Sequence, residues 1–403
     1  MPPFTDKHIL LGVTGSIAAF KAADLASKLA QAGARVDVIL TTGAEKFVTP
    51  LTFQSVTGRR AYTESDLWGG EAHVLHVGLA HTADALVIAP CTANTLAKLA
   101  HGLADNLLTI TALANRAPLV LAPAMDGGMF DAPATQANLA TLIERGATVI
   151  GPAQGHLASG LTGKGRMVEP AEILGQLRLV LGRGGALAGQ SVVVSAGGTQ
   201  EPLDPVRVLT NRSSGKQGFA LAQAALDAGA QVTLIATPTS LTPPVGAKVI
   251  HVETAREVLE AVLKESANAD ALIMAAAVAD FRPKQAAASK MKKRDGIPQV
   301  ALEATEDVLE AVARQKSRTK RPKVVVGFAA ESRDLLSNAS EKLKSKKLDM
   351  IAANDISADD AGFGVDTNRI TLLFANGKQE SLPLMSKIEV AETIVARIAA
   401  LET

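Results

Sequence analysis

Cys91 is the only cysteine in the 403 residues. A single thiol excludes an intramolecular disulfide and a multi-cysteine zinc site. There is also no excess of either charge: Lys plus Arg is 41 against 40 for Asp plus Glu. The balance holds locally, with 14 basic and 14 acidic residues up to position 189 and 27 and 26 after it. Sequence-independent nucleic-acid binding needs a positive field that neither half supplies, so no nucleic-acid partner is expected. No apolar run reaches the roughly 18 residues of a membrane span. The opening Met1-Pro2-Pro3-Phe4-Thr5-Asp6-Lys7 runs into a strand pattern without the apolar core of a signal peptide. These absences predict a cytoplasmic protein with no membrane partner. What is present is a globular mixture, 47 % hydrophobic and 20 % charged.

Apolar runs of strand length alternate with helical spacing along the whole chain. In the first half they cover residues 8–13, 36–40, 85–89, 119–122 and 148–150. Each is rich in Val, Ile and Leu without polar alternation, as expected of parallel strands covered on both faces. Residues 17–32 and 135–145 have helical spacing and end at Gly33 and Gly146. The second half repeats the scheme with strands at 192–195, 232–236, 271–275, 324–327 and 350–353. A late pair, 370–374 and 380–383, reads as a hairpin through Asn376-Gly377. The expected fold is α/β, two doubly wound Rossmann-like domains, each with a mainly parallel sheet. A glycine-rich linker over residues 182–189 separates a domain at 1–189 from one at 190–403. Leu25-Ala26, Ala32-Gly33-Ala34, Val36, Ile39 and Thr41 recur 196 positions later, between Leu221 and Thr237. A shared helix–Gly–strand unit obeying the same physics accounts for this echo without duplication.

The first strand ends in Thr14-Gly15-Ser16-Ile17-Ala18-Ala19-Phe20-Lys21. A Gly-Ser turn at a helix start offers backbone N–H groups and a hydroxyl to a phosphate. The dinucleotide fingerprint is missing, because residue 17 is Ile and residue 20 is Phe. A mononucleotide is therefore expected before a dinucleotide. Two more strand-following loops, Pro90-Cys91-Thr92-Ala93-Asn94-Thr95 and Pro123-Ala124-Met125-Asp126-Gly127-Gly128-Met129-Phe130, should meet it at the same sheet edge, with Ala104-Asp105-Asn106 nearby.

These motifs, in this order and followed by residues 160–167, resemble the flavin-dependent cysteine decarboxylases. Taken end to end, the chain resembles the bifunctional phosphopantothenoylcysteine decarboxylase/phosphopantothenate–cysteine ligase family of bacterial coenzyme A synthesis. The resemblance implies FMN held by Gly15, Ser16, Thr41, Thr92 and Asn94. It implies oxidation of the substrate's cysteinyl thiol, loss of carbon dioxide and return of the electrons from the flavin. His76, in Glu71-Ala72-His73-Val74-Leu75-His76, matches the family's active-site histidine, with His73 as the competing candidate. Met125 and Asp126 form the substrate loop, where much of the family has Asn in place of Asp126; an ionised Asp only accepts hydrogen bonds. Residues 156–167 resemble the flap over the substrate, with Ser159 standing where many members carry the proton-donating cysteine. Cys91 takes the place of a small residue beside the flavin, so packing is its expected role.

In the second half, Thr210-Asn211-Arg212-Ser213-Ser214-Gly215-Lys216 opens a helix. It lacks the first glycine of a P-loop, since residue 210 is Thr, and reads as another phosphate-cradling helix start. Basic blocks at 290–294 and 342–347 would ordinarily be solvated faces. Both resemble the family's ligase half, which uses CTP and Mg²⁺. By that resemblance Met274, Ala275, Ala276, Asp280 and Phe328 line the cytidine. Lys290, Lys342 and Lys346 face the triphosphate, and Thr305, Glu306, Asp307 and Val308 form another nucleotide loop. Asn211 and Arg207 hold 4'-phosphopantothenate, whose carboxylate attacks the α-phosphorus to give an acyl-cytidylate; cysteine then displaces CMP. Homo-oligomers with trimeric decarboxylase and dimeric ligase contacts are implied as well. Two other classes remain: an NAD-dependent dehydrogenase, opposed by the missing glycine fingerprint, and a non-catalytic flavoprotein, opposed by His76, Lys290 and Asn211.

Overall fold

The computed structural model describes residues 3–68, 75–157, 160, 162–293, 297–331, 334–355 and 364–402. Contacts divide the chain into two compact units, Met1–Leu181 and Gly182–Thr403. No described helix is long and apolar enough to cross a membrane.

The first unit is built on six parallel strands. Across the sheet they run Ala61–Tyr62, Arg35–Leu40, His8–Val13, Ala85–Cys91, Leu119–Pro123 and Thr148–Val149. In chain order this is three-two-one-four-five-six, the doubly wound order. The period-2 geometry of a strand explains the unbroken apolar runs. Ile9, Leu11 and Val13 enter one core with Val87 and Ala89, while Leu10 enters the opposite core with Leu86 and Ile88. Each fully buried Val, Leu or Ile side chain among these contributes roughly 1.5–3 kcal/mol. Helix Ala19–Gln31 covers one face with Ala22, Leu25, Ala26 and Leu29, spaced for a single stripe. Helix Leu107–Ala114 covers the other, capped by the Asn106 side chain, which accepts from Thr109 N at 2.9 Å. It packs so closely that a Cβ on Gly12 would lie 2.5 Å from Leu108 Cδ1.

The second unit repeats the order in an eight-stranded sheet. Across it lie Lys248–His251, Gln231–Ala236, Ser191–Ala196, Ala271–Met274, Val324–Glu331, Met350–Asp355, Ile370–Phe374 and Gln379–Ser381. The first six are parallel and the last two form the antiparallel hairpin, turning where Gly377 has φ +86°. Helix Lys216–Asp227 lies on the central strand, and a Cβ on Gly218 would meet Ala196 Cβ at 2.4 Å.

Most strand positions match the sequence pattern, and the exceptions have local reasons. Ala61–Tyr62 and Lys248–His251 are short edge strands only partly buried, so they lack the apolar run that marks a covered strand. Val324–Glu331 extends four residues beyond Gly327, because Phe328 to Glu331 pair with Ala352 to Asp355 on the neighbouring strand.

Candidate functional site

Each doubly wound sheet has a switch point between its first and fourth strands, where the following loops diverge and leave a crevice. In the first unit that crevice is a cavity of about 650 Å³, within the ordinary range for small-molecule sites. Gly15, Ser16, Thr41, Thr92 and Asn94 all line it, with Met125 and Met129 on the apolar side. Backbone geometry assembles this wall. Thr14 Oγ1 donates to Pro90 O at 2.7 Å and accepts from Thr92 N at 3.1 Å, tying the first loop to the fourth. Thr41 N donates to Val13 O at 3.0 Å. A Cβ on Gly15 would stand 3.0 Å from the Gly43 backbone, so only glycine lets the two loops approach. Thr92 caps helix Ala93–His101 through Thr95 N. Sequence reasoning did not single out Thr42, Glu64 or Lys98 in the lining; Lys98 pairs with Asp105 at 2.8 Å across that wall.

A second cavity of about 350 Å³ shares Ser16, Ala124 and Met125 with the first and adds Phe20, Lys21, Asp126, His156 and Arg166. Asp126 caps the short helix Gly127–Asp131, with Oδ1 accepting from Gly128 N at 2.9 Å. The flap region is an antiparallel hairpin of Ala153–His156 and Thr162–Arg166. Ser159 lies outside the described residues, as does His73. His76 stands apart from both cavities. It belongs to helix Leu75–Thr82, and its Nδ1 is buried with no hydrogen-bond partner. Cys91 is wholly buried in the core, and burial pushes its thiol far above the usual thiol range, so it carries no thiolate.

The second unit's crevice is much smaller, about 60 Å³. Ala275 and Phe328 line it. Met274 accepts from Ser195 Oγ at 3.4 Å, and Ala276 N donates to the same hydroxyl at 3.2 Å. Thr305 ties its loop to the neighbouring one, donating from Oγ1 to Ala279 O at 2.6 Å and from N to Asp280 O at 2.9 Å. Asp307 caps helix Val308–Thr319 and pairs with Lys346 at 2.9 Å. Lys346 also holds Glu310 at 2.6 Å, while Glu306 pairs with Arg314. Lys342 Nζ donates to Phe328 O at 2.9 Å. Asn211 Nδ2 donates to Ala277 O at 3.1 Å, and Arg207 donates to Met291 O at 2.8 Å. Buried Asp204 accepts from Val206, Arg207 and Met291 N, which brings exposed Lys290 beside the Arg207 segment.

Lys216, from the expected phosphate-cradling helix start, lines this crevice with Asn354, Asn368 and Lys387, to which sequence reasoning gave no site role. Lys216 carried a signal in Ser-Ser-Gly-Lys. Asn354 is 8 % exposed with an unpartnered Oδ1, a feature only atomic neighbours reveal.

Comparison with known proteins agrees with this architecture. A model of the family described as Flavoprotein matches residues 3–181. One described as DNA/pantothenate metabolism flavoprotein C-terminal domain matches residues 187–401. The chain is similar to the coenzyme A biosynthesis bifunctional protein CoaBC of Bacillus subtilis, 45 % identical over 399 residues, covering 98 % of this chain and 97 % of that one. The protein of the same name from Mycobacterium tuberculosis is 44 % identical over 404 residues, covering 97 % and 96 %. A solved C-terminal domain of a CoaBC protein is 37 % identical, covers 54 % of this chain and 97 % of its own, and has a TM-score of 0.46.

Proposed function

The chain belongs to the family of coenzyme A biosynthesis bifunctional proteins, and from that membership we propose that it couples 4'-phosphopantothenate to cysteine and then decarboxylates the product. The observation that carries the reading is similarity at 45 % identity across 98 % of the chain. Two switch-point crevices, one per unit, support a reading with two separate reactions.

The first unit is the decarboxylase, and the residues of its larger cavity fit FMN. Gly15 and Gly43 let two strand-following loops approach closely, Ser16 and Thr92 add hydroxyls, and Met125 and Met129 offer an apolar wall. Bound there, FMN supplies the oxidation and reduction that make carbon dioxide loss feasible. Thr41 and Asn94 complete the cradle. Met125 and Asp126 hold the substrate beside it, with Arg166 in the same wall as a donor that an ionised Asp126 lacks. His76 accepts the thiol proton; its unpartnered buried nitrogen supports a role completed by a neighbouring group. Ser159 relays the returning proton.

The second unit is the ligase. Cytidine lies along Met274, Ala275, Ala276, Asp280 and Phe328, with residues 305–308 beside it. Lys290, Lys342 and Lys346 meet the triphosphate; Lys346 exchanges Asp307 and Glu310 for phosphate oxygens when CTP binds. Asn211 and Arg207 orient the phosphopantothenate carboxylate. Its oxygen attacks the α-phosphorus, pyrophosphate leaves, and the cysteine amine then displaces CMP. Among the described residues, no group of three or more His, Cys, Asp or Glu is arranged to hold a metal. Mg²⁺ arrives with the triphosphate, whose oxygens supply part of its coordination. Exposed Ile17 and Phe20 in the first unit, and exposed Phe281 and Leu302 in the second, support contacts between copies, which the resemblance implies are trimeric and dimeric. The site of action is the cytoplasm.

The test is an absorbance spectrum of the purified chain, repeated with 4'-phosphopantothenate, cysteine, CTP and Mg²⁺ while CMP and carbon dioxide are followed. A flavin spectrum with release of both products is expected. CMP without carbon dioxide would mean that Asp126 and Ser159 disable the first unit; absence of flavin and of both products would sink the reading.

A further inference from the structure

Lys21 is 8 % exposed on a helix face that otherwise buries Ala22, Leu25, Ala26 and Leu29. Packing alone does not explain an ammonium there. Removing it from water is costly, and its carboxylate partner, Glu169, is 58 % exposed and returns little in compensation. A methionine would cover the same surface without that cost. What Lys21 does that methionine cannot is reach across the fold. Its Nζ lies 2.8 Å from Glu169 Oε1 and donates to Met167 O at 3.1 Å.

Both acceptors follow directly on the return strand of the flap hairpin, Thr162–Arg166. The same strand is pinned from its other side. Gly165 O accepts from Met125 N at 3.0 Å, and a Cβ on Gly165 would stand 2.2 Å from Met125 O. A Cβ on Gly127 would likewise meet Lys164 O at 3.0 Å. The strand thus lies backbone to backbone on the Met125–Asp126 loop. Lys21 lies five residues beyond Ser16, whose loop bounds the larger cavity. Lys21, Asp126 and Arg166 together wall the smaller one.

We infer that Lys21 is a positioning residue for the decarboxylase. Through Met167 O and Glu169 it holds the return strand of the hairpin in register with the Gly15-Ser16 helix, so that the cavity beside the flavin cradle keeps the shape that binds substrate. This rests on the proposed decarboxylase reading. It goes beyond that reading by giving the lysine a role in substrate affinity with no part in the chemistry.

The experiment compares wild type with Lys21→Met, Lys21→Arg and Glu169→Gln in the full-length, flavin-loaded protein. Losing a charge-assisted hydrogen bond in Lys21→Met should raise KM for phosphopantothenoylcysteine about tenfold. Carbon dioxide kcat, flavin per chain and CMP release should stay near wild type. Tryptic nicking after Lys164 or Arg166 should quicken. Lys21→Arg, which keeps the donor, should restore most of both effects, and Glu169→Gln should show a smaller version. An unchanged KM with unchanged nicking overturns the inference. So does a fall in kcat at constant KM, which would place Lys21 in the chemistry, or a loss of flavin, which would make its role structural. A wild type that releases no carbon dioxide would refute the functional reading instead, and the nicking comparison would still decide whether Lys21 anchors the hairpin.

Discussion

The two units fasten the same backbone at the same points. Asp84 precedes the fourth strand of the first unit and accepts from His8 N, the start of the first strand, at 2.8 Å. Asp270 precedes the equivalent strand of the second unit and accepts from Ser191 N at 2.9 Å. After the second strand, Thr41 N donates to Val13 O and Thr237 N to Ala196 O, both at 3.0 Å. Gly33 and Gly229 end the equivalent helices with φ of +93° and +88°. The residues that recur 196 positions apart include two of these fasteners, Gly33 with Gly229 and Thr41 with Thr237, so the echo has a mechanical reason in each unit separately. The crevices above this shared frame differ. The first, about 650 Å³, is walled mainly by hydroxyls, small residues and methionines. The second, about 60 Å³, is lined by Lys216 and Lys387, which already hold Asp366 and Val365 O. Topology fixes where a ligand sits, and side chains decide its charge. A cradle rich in hydroxyls suits one phosphate, whereas lysines at the second crevice suit a polyphosphate.

The sharpest way to separate the two halves is His76→Asn. Losing a proton-transferring group should lower carbon dioxide release by about 100-fold or more and leave CMP release at wild-type rate, measured in one reaction mixture. Equal loss of both products would break the division of labour. Gly218→Val should act in the opposite sense. Its side chain has no room, with Ala196 Cβ 2.4 Å and Ser195 O 3.0 Å from the first added carbon. The second unit should lose about 3 kcal/mol, seen as a lowered unfolding transition and reduced CMP release, with the flavin spectrum intact.

A smaller, pH-dependent difference resides at Asp37 in the first unit. Burial alone would raise this carboxyl, but hydrogen bonds from His8 and Arg59, each at 2.8 Å, outweigh it and hold the pKa down to about 2. A depressed folded-state pKa contributes stability above the unfolded value of 3.8 and loses it as pH falls toward about 2. Asp37→Asn should therefore cost the first unit about 2 kcal/mol at neutral pH. Thermal unfolding should show the gap from wild type closing between about pH 4 and pH 2. A gap that persists at pH 2 would mean that packing, not charge, is what Asp37 supplies.

Much of this was legible beforehand because the signals are local. Unbroken runs such as 8–13 and 85–89 fit strands covered on both faces, and Gly33 ends its helix through a conformation that favours glycine. The Gly15-Ser16 and Thr92-Asn94 loops follow from strand order, which places them at one sheet edge. The half-buried edge strands Ala61–Tyr62 and Lys248–His251 were not legible, because their strand character comes from pairing with a neighbour. Nor was the second unit's crevice: Asn354, Asn368 and Lys387 carry no motif and meet Lys216 only in space.

By itself, then, the sequence determined two doubly wound sheets and the loops that cross their switch points, since hydrophobic period and turn chemistry act over a few residues. The tertiary structure alone decided which charges are already partnered. Lys346, expected to face a triphosphate, holds Asp307 and Glu310, and Lys21 reaches Met167 and Glu169 nearly 150 residues away. An ion pair depends on a separation of a few ångströms between atoms remote in the chain, and only the packed fold sets that distance.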